Sequence, residues 1–287
     1  MTRTAAPRIP ARLLALLTIG LLATTFAAPA TVAASDELTI PQAELQMVEL
    51  LNADRKAAGL VALRTDSRLM SIARNRSNDM SAKNYFSHTQ PDGRNVFDLI
   101  AAAKITWYGA GEIIAWNTYP TLSTSAQAAN TGWLNSPTHR SLILSTSFNY
   151  VGVGLAVQPG TGKKYWTAVF LKGPDRTGAR ATTATPTIAS GTTASTKKVT
   201  VTWSGADVKL QVLTSGFHSY QVQRRTDGGA WTTVWSSTTN RSLTLQLATK
   251  HTYEFRVAAR DKAGNWGAWS TVKAALAAPT GTAVARR

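Results

Sequence analysis

The sequence predicts an α+β domain followed by an all-β sandwich. Up to about residue 176, helical three-to-four spacing of apolar residues mixes with short extended runs. A segment rich in threonine and alanine follows at 177–197, and beyond it the residues alternate as they do in strands. The chain has 287 residues, which is long enough for two domains.

Residues 1–34 have the pattern of a secretory signal. Three arginines precede an apolar stretch from Leu13 to Ala28, and small residues continue through Ala34. We therefore expect cleavage near residue 34 and a secreted protein without a transmembrane segment. An uncleaved N-terminal anchor is the alternative, although the apolar run is short for a membrane span.

Composition excludes some chemistry and suggests a partner. The chain contains no cysteine, which excludes disulfides, thiolate metal sites and thiol redox catalysis. The formal net charge is +16, and residues 197–287 carry 13 basic against 4 acidic side chains. A basic exported surface favours an anionic envelope polymer, an acidic polysaccharide or lipid head groups. No recognised nucleic-acid module accompanies the charge, so nucleic acid is not expected. A basic surface that only aids solubility is the alternative.

The first predicted domain spans 41–176. Helical spacing, with a stop at Gly59 and a start after Asp66, and runs of strand-forming residues define its elements. The predicted elements are helices at 41–58, from 67 to about 80 and at 124–134, and strands at 151–157 and 165–171.

Three short motifs concentrate the residue types that bind metals or move protons near neutral pH. Two imidazoles and one carboxylate lie within them: Phe86-Ser87-His88-Thr89, Gly111-Glu112-Ile113-Ile114-Ala115 and Ser136-Pro137-Thr138-His139-Arg140.

These motifs carry a family resemblance. Together with Leu51-Asn52-Ala53-Asp54-Arg55, Trp133 and the strand that contains Gly152 and Gly154, they occur in the order found in the CAP superfamily, also called the SCP domain. Residues 44–173 resemble the bacterial, cysteine-free branch of that family. The resemblance implies an α-β-α sandwich with a central cleft.

Members of that family carry two histidines and two glutamates in the cleft, and some are reported to bind divalent metals. The resemblance assigns His88 to the first histidine and Glu112 to the first glutamate. Ser136 and Tyr165 stand at the positions of the second glutamate and the second histidine. His139 belongs instead to the bacterial serine-proline-x-histidine-arginine motif. Three positions are therefore carried over.

His88, Glu112 and His139 match the ligand types and number of an open zinc site, whose fourth position takes water or substrate. The predicted cofactor is Zn²⁺ or another divalent metal, and the same residues form the candidate catalytic set. Two alternatives remain open. The side chains can hold the cleft together through hydrogen bonds to loop backbone, or they can perform acid–base chemistry without a metal.

The region after the linker reads as a β-sandwich. Leu247 lies six residues before Tyr253, the spacing of a tyrosine corner, and Asp227-Gly228-Gly229 is a hairpin signal. Residues 183–276 resemble a fibronectin type III domain, so its first strand overlaps the linker, and 277–287 form a basic tail. Five strands are predicted, at 198–203, 220–225, 231–235, 243–247 and 253–257.

Three functions follow as hypotheses. The first is an exported protein whose cleft binds a metal or a small ligand, held at the envelope or in the medium by its basic sandwich. The second is a hydrolase that acts on polysaccharide or peptide. A glycosidase needs two carboxylates that flank one bond, and the motifs place Glu112 alone. The third is a non-catalytic lipid-binding or adhesion protein.

Overall fold

The structure, a computed structural model, describes residues 37–277. The predicted secretory signal at 1–34, and the basic tail except for residue 277, lie outside the described residues. The helices of the described part are α1 (Ile40–Ala57), α2 (Ser67–Lys83), α3 (Val96–Ala102), α4 (Leu122–Asn135) and α5 (Pro137–Ile143). The strands are β1 (Arg64–Thr65), β2 (Gly109–Asn117), β3 (Tyr150–Val157), β4 (Lys164–Lys172), β5 (Arg180–Thr183), β6 (Thr187–Ser190), β7 (Thr196–Ala206), β8 (Phe217–Thr226), β9 (Thr232–Thr238), β10 (Ser242–Ala248), β11 (Thr252–Asp261) and β12 (Ser270–Ala275).

The first region is a three-layer α-β-α structure. Its sheet has the order β1-β3-β4-β2, with antiparallel pairs except for the parallel β1–β3 pair. Helices α1, α4 and α5 pack against one another on one face, and α2 and α3 cover the other. The sandwich implied by the family resemblance is thus present. Strand β2 lies at the edge of the sheet, where a cleft can form beside it.

The strongly periodic elements agree with the sequence-based expectations, and four shorter or less regular ones, β1, β2, α3 and α5, were not predicted. Helices α1, α2 and α4 and strands β3 and β4 lie within a few residues of their expected bounds. Strand β2 was missed because its middle is buried on both faces and its sequence does not alternate. Helix α5 was missed because it begins at Pro137, directly after the residue where α4 ends.

Helix α2 lies unusually close to β3. A β-carbon on Gly154 would stand 2.2 Å from the backbone carbon of Ala73, and one on Gly152 would stand 2.1 Å from that of Leu69. The Ser77 hydroxyl donates to the carbonyl of Gly154 at 2.9 Å and so ties the helix to the strand. The two glycines of the strand motif are therefore required by helix–sheet contact.

The second region consists of two sheets that enclose a separate apolar core. One sheet has the order β10-β7-β5 with β6 also paired to β7, and the other has the order β12-β11-β8-β9. The core between them contains Trp203, Tyr220, Val222, Phe255 and Val257. Of the five predicted strands, all are present, and β12 is added at the C-terminal side.

The predicted linker at 177–197 forms strands β5 and β6, so it is part of a sheet along much of its length. The two regions also share contacts. The Val61 amide donates to the Gln211 side chain at 2.7 Å, and Asn149 donates to the Val212 carbonyl at 3.2 Å. Leu210 is buried in the same cluster as Leu69. These contacts join the two regions without a free spacer.

None of the helices within residues 37–277 is both long enough and apolar enough to cross a membrane.

The contact between α2 and β3 is testable by adding one methyl group. We expect Gly154→Ala to lower the free energy of unfolding by about 2–3 kcal/mol, because the new β-carbon overlaps helix backbone that cannot move aside locally. The matched control is Gly132→Ala in α4, where nothing lies within 4 Å of the added carbon. That change should stabilise the protein by about 0.5–1 kcal/mol. Urea unfolding of both variants measures this; equal effects would contradict the packing.

Candidate functional site

A cleft of about 370 Å³ lies along the outer edge of β2. Phe86, Trp133 and His139 are among the residues that line it. The indole of Trp133 is buried and donates to the Ile114 carbonyl at 3.0 Å, which satisfies a backbone group on the edge strand. Trp116 and Tyr119 are exposed on the rim, so aromatic side chains form much of the cleft wall.

A buried ion pair involves Glu112 of β2, the strand that borders the cleft. The Arg76 side chain is 0% exposed and that of Glu112 is 3% exposed, and Arg76 Nε donates to Glu112 Oε1 at 2.8 Å. Arg76 also donates to the Tyr85 hydroxyl at 2.8 Å and to the Ser87 carbonyl at 2.6 Å. Burial lowers the pKa of Arg76, but Glu112 and Tyr85 outweigh it and the pKa is raised. Arg76 therefore remains charged and joins α2, β2 and the segment that carries His88.

His88 reaches Glu112 from the loop after α2. Asn84 ends the helix in the left-handed conformation at φ 52°, which turns the chain back over the helix. His88 Nδ1 then lies 2.8 Å from Glu112 Oε2. The His88 ring is otherwise open, with 56% of the side chain exposed. Glu112 thus orients the imidazole and leaves its Nε2 edge toward solvent.

His139 approaches the same cleft from α5. The helix begins at Pro137, whose fixed φ suits the first helical position, and His139 follows within the first turn. Burial lowers the pKa of His139, and charge on His88 lowers it further. Both effects favour the neutral imidazole of His139, which is the form that binds a metal.

Asp79 and Tyr85 support the arginine from the side away from Glu112. The Tyr85 hydroxyl donates to Asp79 Oδ2 at 2.6 Å, and Lys83 Nζ lies 2.6 Å from Asp79 Oδ1. Burial raises the pKa of Asp79, but hydrogen bonds from Lys83, Tyr85 and Gln90 outweigh it and hold the pKa at about 2. Burial and the bond to Asp79 raise the pKa of Tyr85 to about 12. The network is therefore fixed in one protonation state near neutral pH.

The structure brings two of the three candidate residues into direct contact. His88 and Glu112 are hydrogen-bonded, and His139 lies in the cleft close enough for charge on His88 to affect its pKa. Within residues 37–277, ligand atoms of His88, Glu112 and His139 do not gather as a set within 4.8 Å. Glu112 Oε1 accepts from Arg76 Nε, and Oε2 contacts both His88 Nδ1 at 2.8 Å and Arg76 Nη2 at 3.5 Å. The Glu112 carboxylate is therefore a hydrogen-bond partner of His88.

Sequence reasoning missed Arg76, although a signal was present. Arg76 follows Leu69, Ile72 and Ala73 on the apolar face of α2, where a charged residue needs a buried partner. Arg55 is likewise buried and donates to the Ile143 carbonyl at 2.7 Å, so it has a structural role. Tyr165 is buried in a cluster with Met80 and does not line the cleft.

A second group of carboxylates lies where the two regions meet. Ligand oxygens of Asp175, Asp207 and Asp261 come within 4.8 Å of one another. Their oxygens accept backbone amides, including those of Thr177, Ser215, Gly216 and Asn265. These aspartates therefore organise the loops at the junction.

Comparison with known proteins covers the first region. Residues 48–170 match the family model described as CAP, cysteine-rich secretory protein family. The uncharacterized protein YkwD of Bacillus subtilis is 35% identical over 148 residues, which are 52% of this chain and 51% of YkwD. The uncharacterized membrane protein YlbC of the same organism is 33% identical over 129 residues, or 45% of this chain and 34% of YlbC. The match thus spans about half of YkwD and a third of YlbC.

Among solved structures, an extracellular protein containing a SCP domain from Bacillus anthracis is similar, with 30% identity and a TM-score of 0.41. The similarity covers 48% of this chain and 45% of that protein.

The buried pair yields a prediction about stability. We expect Glu112→Gln to lower the free energy of unfolding by roughly 3–5 kcal/mol, because it leaves Arg76 buried without a counter-charge. The double variant Arg76→Met/Glu112→Leu should recover most of that loss, since apolar residues remove both buried charges. Asp92→Asn, in an exposed pair with Arg94, serves as the control and should leave stability unchanged. A loss in the double variant as large as in Glu112→Gln would contradict this account of the pair.

The low pKa of Asp79 yields a prediction about pH. The carboxyl side chain is 16% exposed, and its pKa falls from 3.8 to about 2 on folding. The carboxylate therefore stabilises the fold above pH 3.8, and this contribution is lost as the pH falls through 2. We expect Asp79→Asn to cost about 2 kcal/mol at pH 7 and progressively less below pH 4. Urea unfolding of both proteins from pH 7 to pH 2 measures the difference, and a pH-independent difference would refute it.

Proposed function

Because residues 48–170 form a CAP domain, we propose that this protein is an exported protein whose cleft binds a divalent metal ion such as Zn²⁺ through His88 and His139. Export is supported by the pattern of residues 1–34. It is also in line with the extracellular Bacillus anthracis protein that contains a SCP domain.

The contact between His88 and Glu112 carries the proposal. Histidines that bind metals commonly donate the second ring nitrogen to a carboxylate, which fixes the tautomer and the ring orientation. At 2.8 Å, Glu112 Oε2 stands where such a partner would stand for His88 Nδ1. The lone pair of Nε2 is then directed away from Glu112, toward the open side of the ring.

His139 and Glu112 are consistent with a metal site that has two imidazole ligands. His139 lines the cleft and lies close enough to His88 for charge on His88 to lower its pKa, so it can supply a second imidazole. Glu112 fits as an outer partner, since both of its oxygens already accept hydrogen bonds. When bound, a divalent ion would supply Lewis acidity, and its remaining positions would be open to water or to a ligand in the cleft.

The environment of Glu112 does not favour the glycosidase hypothesis. A general acid needs a carboxyl group that the substrate can reach, whereas Glu112 is buried against Arg76. Asp79, which is linked to Arg76 through Tyr85, is held ionised with a pKa of about 2. Neither carboxyl group is suited to donate a proton to a leaving group.

The second region is proposed as a fibronectin type III domain that contacts an anionic envelope polymer. The strand orders β10-β7-β5 and β12-β11-β8-β9 describe two antiparallel sheets packed face to face, as in that class of sandwich. The basic surplus of residues 197–287 supports an anionic partner.

Zinc titration of the purified protein tests the metal proposal. We expect one Zn²⁺ to bind, and His88→Ala or His139→Ala to abolish this binding in calorimetry. Glu112→Gln should weaken binding by roughly ten- to a hundredfold, because it removes the charged partner of His88. The matched control is His218→Ala/His251→Ala, which removes two histidines of the second region. Unchanged zinc affinity in the His88 and His139 variants would refute the proposal.

A further inference from the structure

The outer face of the sheet β12-β11-β8-β9 carries an ordered set of arginine and tryptophan side chains. Along β11, Tyr253, Phe255 and Val257 point into the core, so Glu254, Arg256 and Arg260 point outward. In the strand register, Arg256 lies opposite Gln223 on one neighbour and Thr271 on the other. The outward residues of these strands share one surface with three tryptophans of the adjoining loops. This surface, called here the Arg–Trp face, is made up of Arg225, Trp231, Arg256, Arg260, Trp266, Trp269 and Lys273.

The side chains of the Arg–Trp face are stacked. The guanidinium of Arg256 lies 4.3 Å from the ring centre of Trp231 and 4.4 Å from that of Trp269. Arg225 lies 4.6 Å from the ring centre of Trp231. Arg256 also donates to Gln223 Oε1 through Nε at 2.8 Å and through Nη2 at 2.6 Å. The plane of its guanidinium is thus fixed before any ligand arrives.

Charge on the face is unbalanced. The outward residues of β8, β9, β11 and β12 include one acidic side chain, that of Glu254, which is paired with Arg225. Arg256, Arg260 and Lys273 add positive charge that this pair does not neutralise. The face therefore favours a ligand with repeated negative charges.

Apolar surface accompanies this charge. Trp269 is 37% exposed and Trp266 is 44% exposed, and the ring of Trp266 lies 5.6 Å from the Arg260 guanidinium. Exposed indoles that are held in place by stacking offer flat surfaces for other rings, and their exposure marks an interaction surface. Arginine recognises carboxylates with a directed pair of donors. A ligand that alternates sugar rings with carboxylates would use both features.

We propose that the Arg–Trp face binds an acidic polysaccharide, a polymer whose sugar rings carry carboxylate groups. Rings of the polymer stack against Trp269 and Trp266, and its carboxylates pair with Arg256 and Arg260. This inference rests on the proposed function in one respect, namely that the basic region contacts an anionic envelope polymer. It adds the surface and the chemical class of the partner.

Affinity electrophoresis with polygalacturonate tests the proposal. We expect the protein to bind polygalacturonate more tightly than polyglutamate, which has charge without rings, and more tightly than dextran, which has rings without charge. Trp269→Ala and the double variant Arg256→Gln/Arg260→Gln should each weaken binding by about tenfold or more. The control Lys197→Gln/Lys198→Gln removes the same charge from β7 of the opposite sheet and should have a much smaller effect.

A further variant keeps the test valid if those proteins fold poorly. Thr271→Glu places a negative charge opposite Arg256 at an exposed position and leaves every stacked side chain in place. It should weaken polygalacturonate binding without a change in circular dichroism.

The outcomes separate the two ideas. No binding of polygalacturonate by the unmodified protein would overturn this inference and the polymer contact in the proposed function. Binding that the variants of the Arg–Trp face leave unchanged would overturn the inference alone. Equal binding to polyglutamate, or tighter binding to phosphatidylglycerol vesicles that depends on the same residues, would also overturn it in favour of a purely electrostatic or lipid partner.

Discussion

The buried pair of Arg76 and Glu112 is the constraint on which the cleft depends. Charges removed from water must be fully paired and hydrogen-bonded, and here one guanidinium contacts Glu112, Tyr85 and Ser87. Because these partners belong to β2 and to the loop after α2, the arginine holds three parts of the chain in one arrangement. The position of His88 depends on this arrangement, because its Nδ1 contacts the carboxylate that Arg76 fixes.

The close contact of α2 with β3 makes this pair possible. Gly152 and Gly154 let the helix backbone approach the sheet, and Ser77 ties the helix to Gly154 directly after Arg76 in the sequence. A larger residue in the strand would move the helix away from the sheet, and with it the guanidinium that reaches across to β2. The glycine motif in the strand and the histidine motif in the loop therefore serve the same geometry, although they lie far apart in the sequence.

Local patterns in the sequence predicted much of the fold, but they did not predict which side chains pair across long distances in the sequence. The apolar spacing of α2 and the buried runs of β3 and β4 are strong local signals, and the structure agrees with them. Strand β2 lacks such a signal because it is an edge strand with glycine and glutamate among its buried positions. Similarity to a known family placed His88, Glu112 and His139 in one cleft. It did not show that Glu112 pairs with an arginine 36 residues earlier, because that contact is created by the packing of α2 on the sheet.

Arginine has a different environment in each of the two regions, and the two proposed ligands differ accordingly. Arg76 is buried, and its N–H groups donate to acceptors within the protein. It therefore shapes the cleft without attracting an anion. Glu112 cancels its charge, so the buried pair adds no net charge beside the cleft. Arg256 lies between two indoles on the outer face of its sheet, where stacking fixes its direction. Because the regions are joined by the contacts of Val61 with Gln211 and of Asn149 with Val212, a polymer bound to the second region, as proposed, would also retain the first. The proposed anionic polymer and the proposed ligand of the cleft would therefore bind in different regions of the protein.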